Sequence, residues 1–158
     1  MPEIVEFAGF VRLINALSSD IDGAPICEGD GPLSEVRFTL GTDAFALDVP
    51  GERRDWVIET PEPSCTVLAS ANGSVTHFWR EHSMRRIPLY SNGEAMRLTI
   101  FSMPFLVWHI APAGESRQAA RICGFVTPKQ VLSVDVIAPS EQELRLMFRV
   151  LRSARRAR

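Results

Sequence analysis

The hydrophobic pattern changes period twice along the chain. In residues 3–17, Ile4, Phe7, Val11 and Ile14 recur at a spacing of three to four. Strand alternation fails there, because Glu6 and Arg12 share the phase of Ile4, Phe10 and Ile14. The spacing predicts a helix over 3–17. Pro2 and Glu3 suit its first turn, through a fixed φ and the helix dipole, although Gly9 weakens it. Residues 18–32 are rich in Ser, Asp, Gly and Pro and read as a loop.

Alternation then takes over. Val36, Phe38 and Leu40 share one face against Arg37 and Thr39, Gly41-Thr42-Asp43 turns the chain, and Phe45, Leu47 and Val49 return. That is a hairpin pattern. Residues 50–63 hold three prolines and read as an irregular connection around Trp56-Val57-Ile58. Asn72-Gly73 lies between apolar segments 65–70 and 74–80, and Asn-Gly tolerates the positive φ of a type I′ turn. Asn92-Gly93 repeats the device between 87–90 and 95–101. The near-apolar run 98–111, with Pro104 inside it, reads as one long strand bent at the proline or as two strands. Further strands are expected at 105–110, 119–126 and 131–137. The short intervals between strands and turns suit an antiparallel meander, closed as a barrel or folded as a sandwich.

The last element follows a third pattern. Ser140 and Glu143 form a capping box after Pro139, and Leu144, Met147, Phe148 and Leu151 recur at helical spacing. An amphipathic helix over 141–156 is expected, docked by those four side chains. The fold class is therefore mainly β (α+β), a meander barrel or sandwich with an N-terminal helix and a C-terminal helix.

Composition bounds this picture. At 158 residues, with 46% apolar and 23% charged residues, the chain suits a single domain over 1–158. Those values exclude a disordered chain, a collagen-like repeat and a disulfide-dense miniprotein. The net charge of −2 conceals an asymmetry. Residues 1–62 hold 13 acids and 4 bases, whereas residues 63–158 hold 6 acids and 13 bases. The basic share divides into a β-rich part, 63–138, and the helix 141–156. These opposite charges can meet inside one fold or across copies.

Cys27, Cys65 and Cys123 are odd in number and unclustered, which argues against a disulfide framework and a zinc site. A reducing cytoplasm or the inside of an assembled particle fits such thiols. The opening Met-Pro-Glu-Ile-Val-Glu lacks a basic stretch before an apolar core, so no secretory signal is expected. The run 98–111 is too short for a membrane span.

Arg145, Arg149, Arg152 and Arg156 step by four, three and four, so on a helix they form one stripe beside the apolar stripe. Such a stripe can meet an acidic protein surface, another copy's acidic half, phosphates on nucleic acid or an anionic membrane surface. Its plainest reading is a solvated basic face. Phe78, Trp79, Arg80, Arg85, Arg86 and Tyr90 interleave aromatics with cations, a weak signal for base stacking. His77 and His82 are five apart, which separates them on a strand or a helix, and His109 sits inside an apolar run. Asp20, Asp22, Glu28 and Asp30 resemble a calcium loop only loosely, because Ala24 and Gly31 stand where ligands belong. There is no phosphate-binding loop, dinucleotide fingerprint, nucleophile elbow or metalloprotease helix.

The sequence thus leads to a non-catalytic structural or interaction subunit. It would self-associate, or dock in a larger assembly such as a phage-like or other bacterial particle, through its basic C-terminal helix. No metal or cofactor is expected. A small-molecule-binding β-barrel is the alternative, followed by an enzyme whose site is dispersed around the histidines or the acidic loop.

Overall fold

The computed structural model of the chain describes residues 3–17, 24–81, 87–89, 95–110 and 117–157. In chain order it runs β1 (Glu3–Val5), α1 (Phe7–Ala16), β2 (Leu33–Leu40), β3 (Asp43–Pro50), β4 (Trp56–Glu62), β5 (Cys65–Ser70) and β6 (Val75–Glu81). There follow β7 (Ile87–Leu89), β8 (Ala95–Ile100), β9 (Met103–Ile110), β10 (Gln118–Thr127), β11 (Gln130–Ala138), α2 (Glu141–Arg152) and β12 (Arg155–Arg156).

The protein is mainly β, and its sheets are antiparallel. Seven strands form one sheet in the order β4-β5-β6-β11-β10-β9-β8, and β12-β3-β2 form a second. The large sheet does not close, since β4 and β8 are its edges. Of the two expected architectures, the layers are therefore sandwich-like, and no barrel closes among the described residues.

Alternation decides which side chains enter the core. Leu68, Phe78, Leu98, Phe105, Ile122, Leu132 and Val134 leave one face of the large sheet, and they meet Phe38, Leu40, Phe45 and Leu47 of the β2–β3 hairpin. α2 completes this second layer with Leu144, Met147, Phe148 and Leu151, all buried. Four such side chains stabilise the docking by roughly 2 kcal/mol each. Exposed ion pairs contribute about 0–1 kcal/mol, so the apolar stripe holds α2 in place. Phenylalanines mark the seam between layers: Phe78 to Phe38 at 4.8 Å, Phe38 to Phe45 at 5.7 Å, and Phe45 to Phe101 at 4.5 Å.

α1 covers part of the opposite face. Phe10 and Ile14 pack there on Leu106, Trp108, Cys123, Phe125 and Val131. The helix starts at Phe7 rather than Glu3. Glu3–Val5 is a strand paired with Ile87–Leu89, consistent with the extended preference of β-branched Ile4 and Val5. Phe7 and Phe10 instead set their rings edge-on to Phe125, at 5.4 and 5.3 Å.

Turns account for most of the other differences. The hairpin 65–81 forms, but only Gly73 reaches positive φ, at 97°. Its N–H donates to the Ser70 carbonyl, which makes a longer turn than type I′. Asn92-Gly93 lies outside the described residues, and the strands flanking it pair elsewhere: β7 with β1, and β8 with β9. The run 98–111 divides into two strands at Phe101-Ser102 rather than at Pro104. Pro104 sits where β9 pairs with β8 alone, short of its pairing with β10. Residues 56–62, expected to be irregular, form β4. Its Pro61 is accommodated at a sheet edge beside a register shift between Glu59 and Glu62.

Phe101 and Ser102 hold φ of 54° and 62° without being glycine. Burial of the Phe101 ring against Phe45 keeps that residue in place, whereas Ser102 is exposed. A left-handed conformation costs a side-chain-bearing residue roughly 1–2 kcal/mol, and glycine's extra chain entropy offsets part of the gain. Ser102→Gly is therefore expected to stabilise the protein by about 0.5–1 kcal/mol in urea denaturation. A lowered midpoint would show that the turn is unstrained.

The C-terminal helix ends at Arg152, four residues before its expected limit. Ser153 caps it, and Arg155 and Arg156 pair as a short strand with Ala46 and Phe45. Edge pairing with β3 satisfies backbone groups that further helix would leave to solvent.

Candidate interaction surface

The arginine stripe divides once it is placed in the fold. Arg145 projects from α2 with 74% of its side chain exposed and bonds Glu141 one turn back, at 2.8 Å. Arg149 grips both carboxylate oxygens of Asp30, at 2.8 and 2.7 Å, and donates from Nε to the Ala24 carbonyl. Arg152 is half-buried at the helix end. Arg156 lies outside the helix, 3.6 Å from Asp43 and over the Phe45 ring. Arg155 joins Glu35 at 2.8 Å and Asp48 at 3.1 Å. Acids of the N-terminal part and arginines of the tail thus meet within one copy.

The Arg149 hydrogen bonds, helped by the Cys27 backbone N–H, hold the Asp30 carboxyl down at about 2, against an ordinary 3.8. Hydrogen bonds from Arg37 and then Arg155 lower Glu35 as well. The Asp30 pair fastens the segment before β2 along α2, where the Ile26 N–H also reaches the Arg149 carbonyl. A carboxyl lowered by folding stabilises the fold above its unfolded value, and that contribution is lost as pH falls through the folded value. Arg149→Gln is therefore expected to return Asp30 toward its ordinary range in a carboxyl NMR titration. It should also remove part of the stability loss expected of the wild type between pH 4 and 2. An Asp30 titration unmoved by the substitution would rule out the clamp.

A different surface emerges on the outer face of the large sheet, beside the part that α1 covers through Trp108 and Cys123. Cross-strand register lines up Val57, Ala69, Val75, Ile137 and Ala119 on β4, β5, β6, β11 and β10. One step along the strands lie Glu59, Val67, His77, Asp135 and Arg121. Trp79 and Ser133 follow on β6 and β11. Val57 is 53% exposed, and Val67, Val75, Trp79 and Ile137 are half-buried. Their strand neighbours Ile58, Leu68, Phe78, Val134 and Val136 point into the core, so alternation directs this set outward.

The polar row carries both signs. Arg121 Nε stands 3.5 Å from Asp135 Oδ1. Partial burial raises the Asp135 carboxyl above its ordinary value, while Arg121 and then His77 draw it back. Glu59 is exposed at the other end of the row.

The remaining sequence candidates do not converge. Phe78 and Trp79 face opposite sides, with Phe78 fully buried, and Arg80 is tied to Asp43 and Gln130. Arg85, Arg86, Tyr90 and His82 lie outside the described residues, as do Asp20 and Asp22. His77 is on β6 and His109 on β9, with β11 and β10 between them. Among the described residues no three of His, Cys, Asp and Glu gather to hold a metal, and no helix is long and apolar enough to cross a membrane. Burial raises the Cys65 and Cys123 thiols, which disfavours the reactive thiolate. A cleft of about 330 Å³ opens at the surface between β2 and β4, lined by Phe38, Ala44, Ile58 and Thr60 among others.

Sequence reading missed the outer face, because a strand with apolar residues in both phases does not reveal which phase is left uncovered. Comparison with family models, curated proteins and solved structures finds no match for this chain.

Proposed function

We propose that this chain is a self-associating interaction subunit, and that it docks through the outer face of its large sheet. The observation that carries this is Val57, 53% exposed at the end of an apolar row spanning five strands. At ordinary strand spacing the three rows cover roughly 300 Å² of sheet, of which the apolar row is about half. The neighbouring row of charges gives the patch a polar rim and a preferred register. Within α2, Arg145 is the arginine left facing outward, and the other stripe residues contribute more to folding than to a partner.

A patch of this size supports a weak, concentration-dependent pair, since stable interfaces bury roughly 1,200 Å² or more in total. Sedimentation velocity at rising concentration is expected to show reversible association of the wild type, free of 260 nm absorbance in excess of the protein's own. Val57→Lys should shift that association at least tenfold toward monomer without lowering the melting temperature. A wild type that remains monomeric throughout, or a lysine variant that associates equally well, overturns the proposal. Nucleic acid co-sedimenting at low salt and released at high salt would assign the arginines to phosphate instead.

A further inference from the structure

We infer that the occupant of this face is a second copy, turned about a two-fold axis that runs along β6 between the two sheets. This rests on the self-association reading and adds a register to it. In the polar row, Glu59 lies on β4, two strands to one side of His77, and Arg121 lies on β10, two strands to the other. A two-fold axis along β6 exchanges those positions. Glu59 of each copy then faces Arg121 of the other, and the ion pair is made twice.

The apolar row obeys the same operation. Val57 comes opposite Ala119, Ala69 opposite Ile137, and Val75 opposite its own counterpart on the axis. Large side chains therefore meet smaller ones over most of the row, as interdigitating sheet faces require. An axis perpendicular to the strands would instead set the polar row against itself with no exchange of ends. Asp135 of one copy would then face Asp135 of the other. The Glu59–Arg121 exchange selects the axis along β6, which also sets Asp135 opposite Val67 and His77 opposite its own counterpart. An isologous contact of this kind closes on itself and yields a dimer rather than a fibre.

The arrangement has a specific consequence for charge reversal. Glu59→Arg alone creates two repulsive contacts, and Arg121→Glu alone creates two of the opposite sign. Mixed in equal amounts, the two variants restore attraction at both contacts, because each brings the charge that the other lacks. In sedimentation velocity each variant alone is expected to associate at least tenfold more weakly than the wild type. The equimolar mixture should recover association to within a few-fold, and added salt should weaken it.

Arg121 also neighbours Asp135 within its own copy, so circular dichroism must show Arg121→Glu to be folded. A second measurement does not depend on that variant. With exposed Cys27 changed to Ser and the two other cysteines buried, Val75→Cys is expected to couple to itself through a short bismaleimide. Val57→Cys should couple to Ala119→Cys more than to itself. Folded single variants that associate as the wild type does, a mixture that stays dissociated, or Val57→Cys coupling best to itself would each overturn the axis. If Val57→Lys still abolished association in those cases, the face would stand and only the register would fall.

Discussion

Gly124→Ala is expected to lower the unfolding free energy by about 2 kcal/mol, although it adds a single methyl. Gly124 lies on β10 beside Cys123, which pairs with Leu106, so its neighbour across the ladder is Phe105. A Cβ built at Gly124 would sit 2.6 Å from Phe105 Cδ2 and 2.8 Å from both Cε2 and Cγ. Contact with one flexible atom would be relieved cheaply, but these are three atoms of one rigid ring. The ring cannot swing aside, because Phe105 has no exposed surface and lies within the main core. Overpacking a filled core costs roughly 1–3 kcal/mol. Alanine's smaller chain entropy in the unfolded state offsets only part of that. Backbone conformation does not enter, since Gly124 is not among the residues at positive φ. Gly124→Val should exceed what a domain of ordinary stability tolerates, and it should be recovered mainly as aggregate. Phe105→Leu in the Gly124→Ala background should regain part of the loss, because the two changes share one space. An unchanged urea midpoint for Gly124→Ala would mean that the ring is not seated on the glycine.

Much of the fold was legible wherever one period dominated. The hairpin 33–50 has strict alternation and a glycine turn, and it formed as read. The N-cap at Ser140 forms, with the Glu143 N–H donating to Ser140 Oγ, but the Glu143 carboxylate accepts from Asn72 rather than completing the capping box. The signal failed where a residue's role depends on a distant partner. Phe101-Ser102 makes a turn without glycine or asparagine, because Phe45 holds the Phe101 ring. Glu3–Val5 joins a strand more than eighty residues away, and Arg155–Arg156 leave the helix for the edge of β3. The candidate surface was less legible still. Nothing in the order of β5, β6 and β11 states which of two apolar phases α1 will leave uncovered. The arginine stripe was visible, but its partners Asp30 and Asp43, like Glu35 and Asp48 beside Arg155, could not be assigned from spacing.

The link between the two layers yields the other large effect. Asp43→Asn is expected to cost about 2–3 kcal/mol, less than the 3–5 of a fully buried pair because Asp43 keeps 28% of its side chain exposed. Arg80 emerges from β6 with only 9% exposed and pairs with Asp43, at the start of β3. Its Nη2 donates to Gln130 Oε1 at 2.5 Å and its Nη1 to the Leu40 carbonyl at 3.3 Å. One guanidinium therefore ties the β2–β3 turn to the turn between β10 and β11. Its Nε has no hydrogen-bond partner among the described residues, so the cation has no acceptor to spare. Removing the carboxylate charge leaves a nearly buried cation short of its counter-ion, and also loosens Arg156, 3.6 Å from the same aspartate. The cost arises from the orphaned charge rather than from the strength of the pair. Arg80→Met with Asp43→Leu should accordingly be less destabilised than Asp43→Asn alone, although it removes both partners. Urea denaturation of the single and double variants decides the matter. If Asp43→Asn lies within about 0.5 kcal/mol of wild type, the layers are held by the phenylalanine seam alone. If instead the double variant is the worst of the set, the ion pair itself supplies the stability.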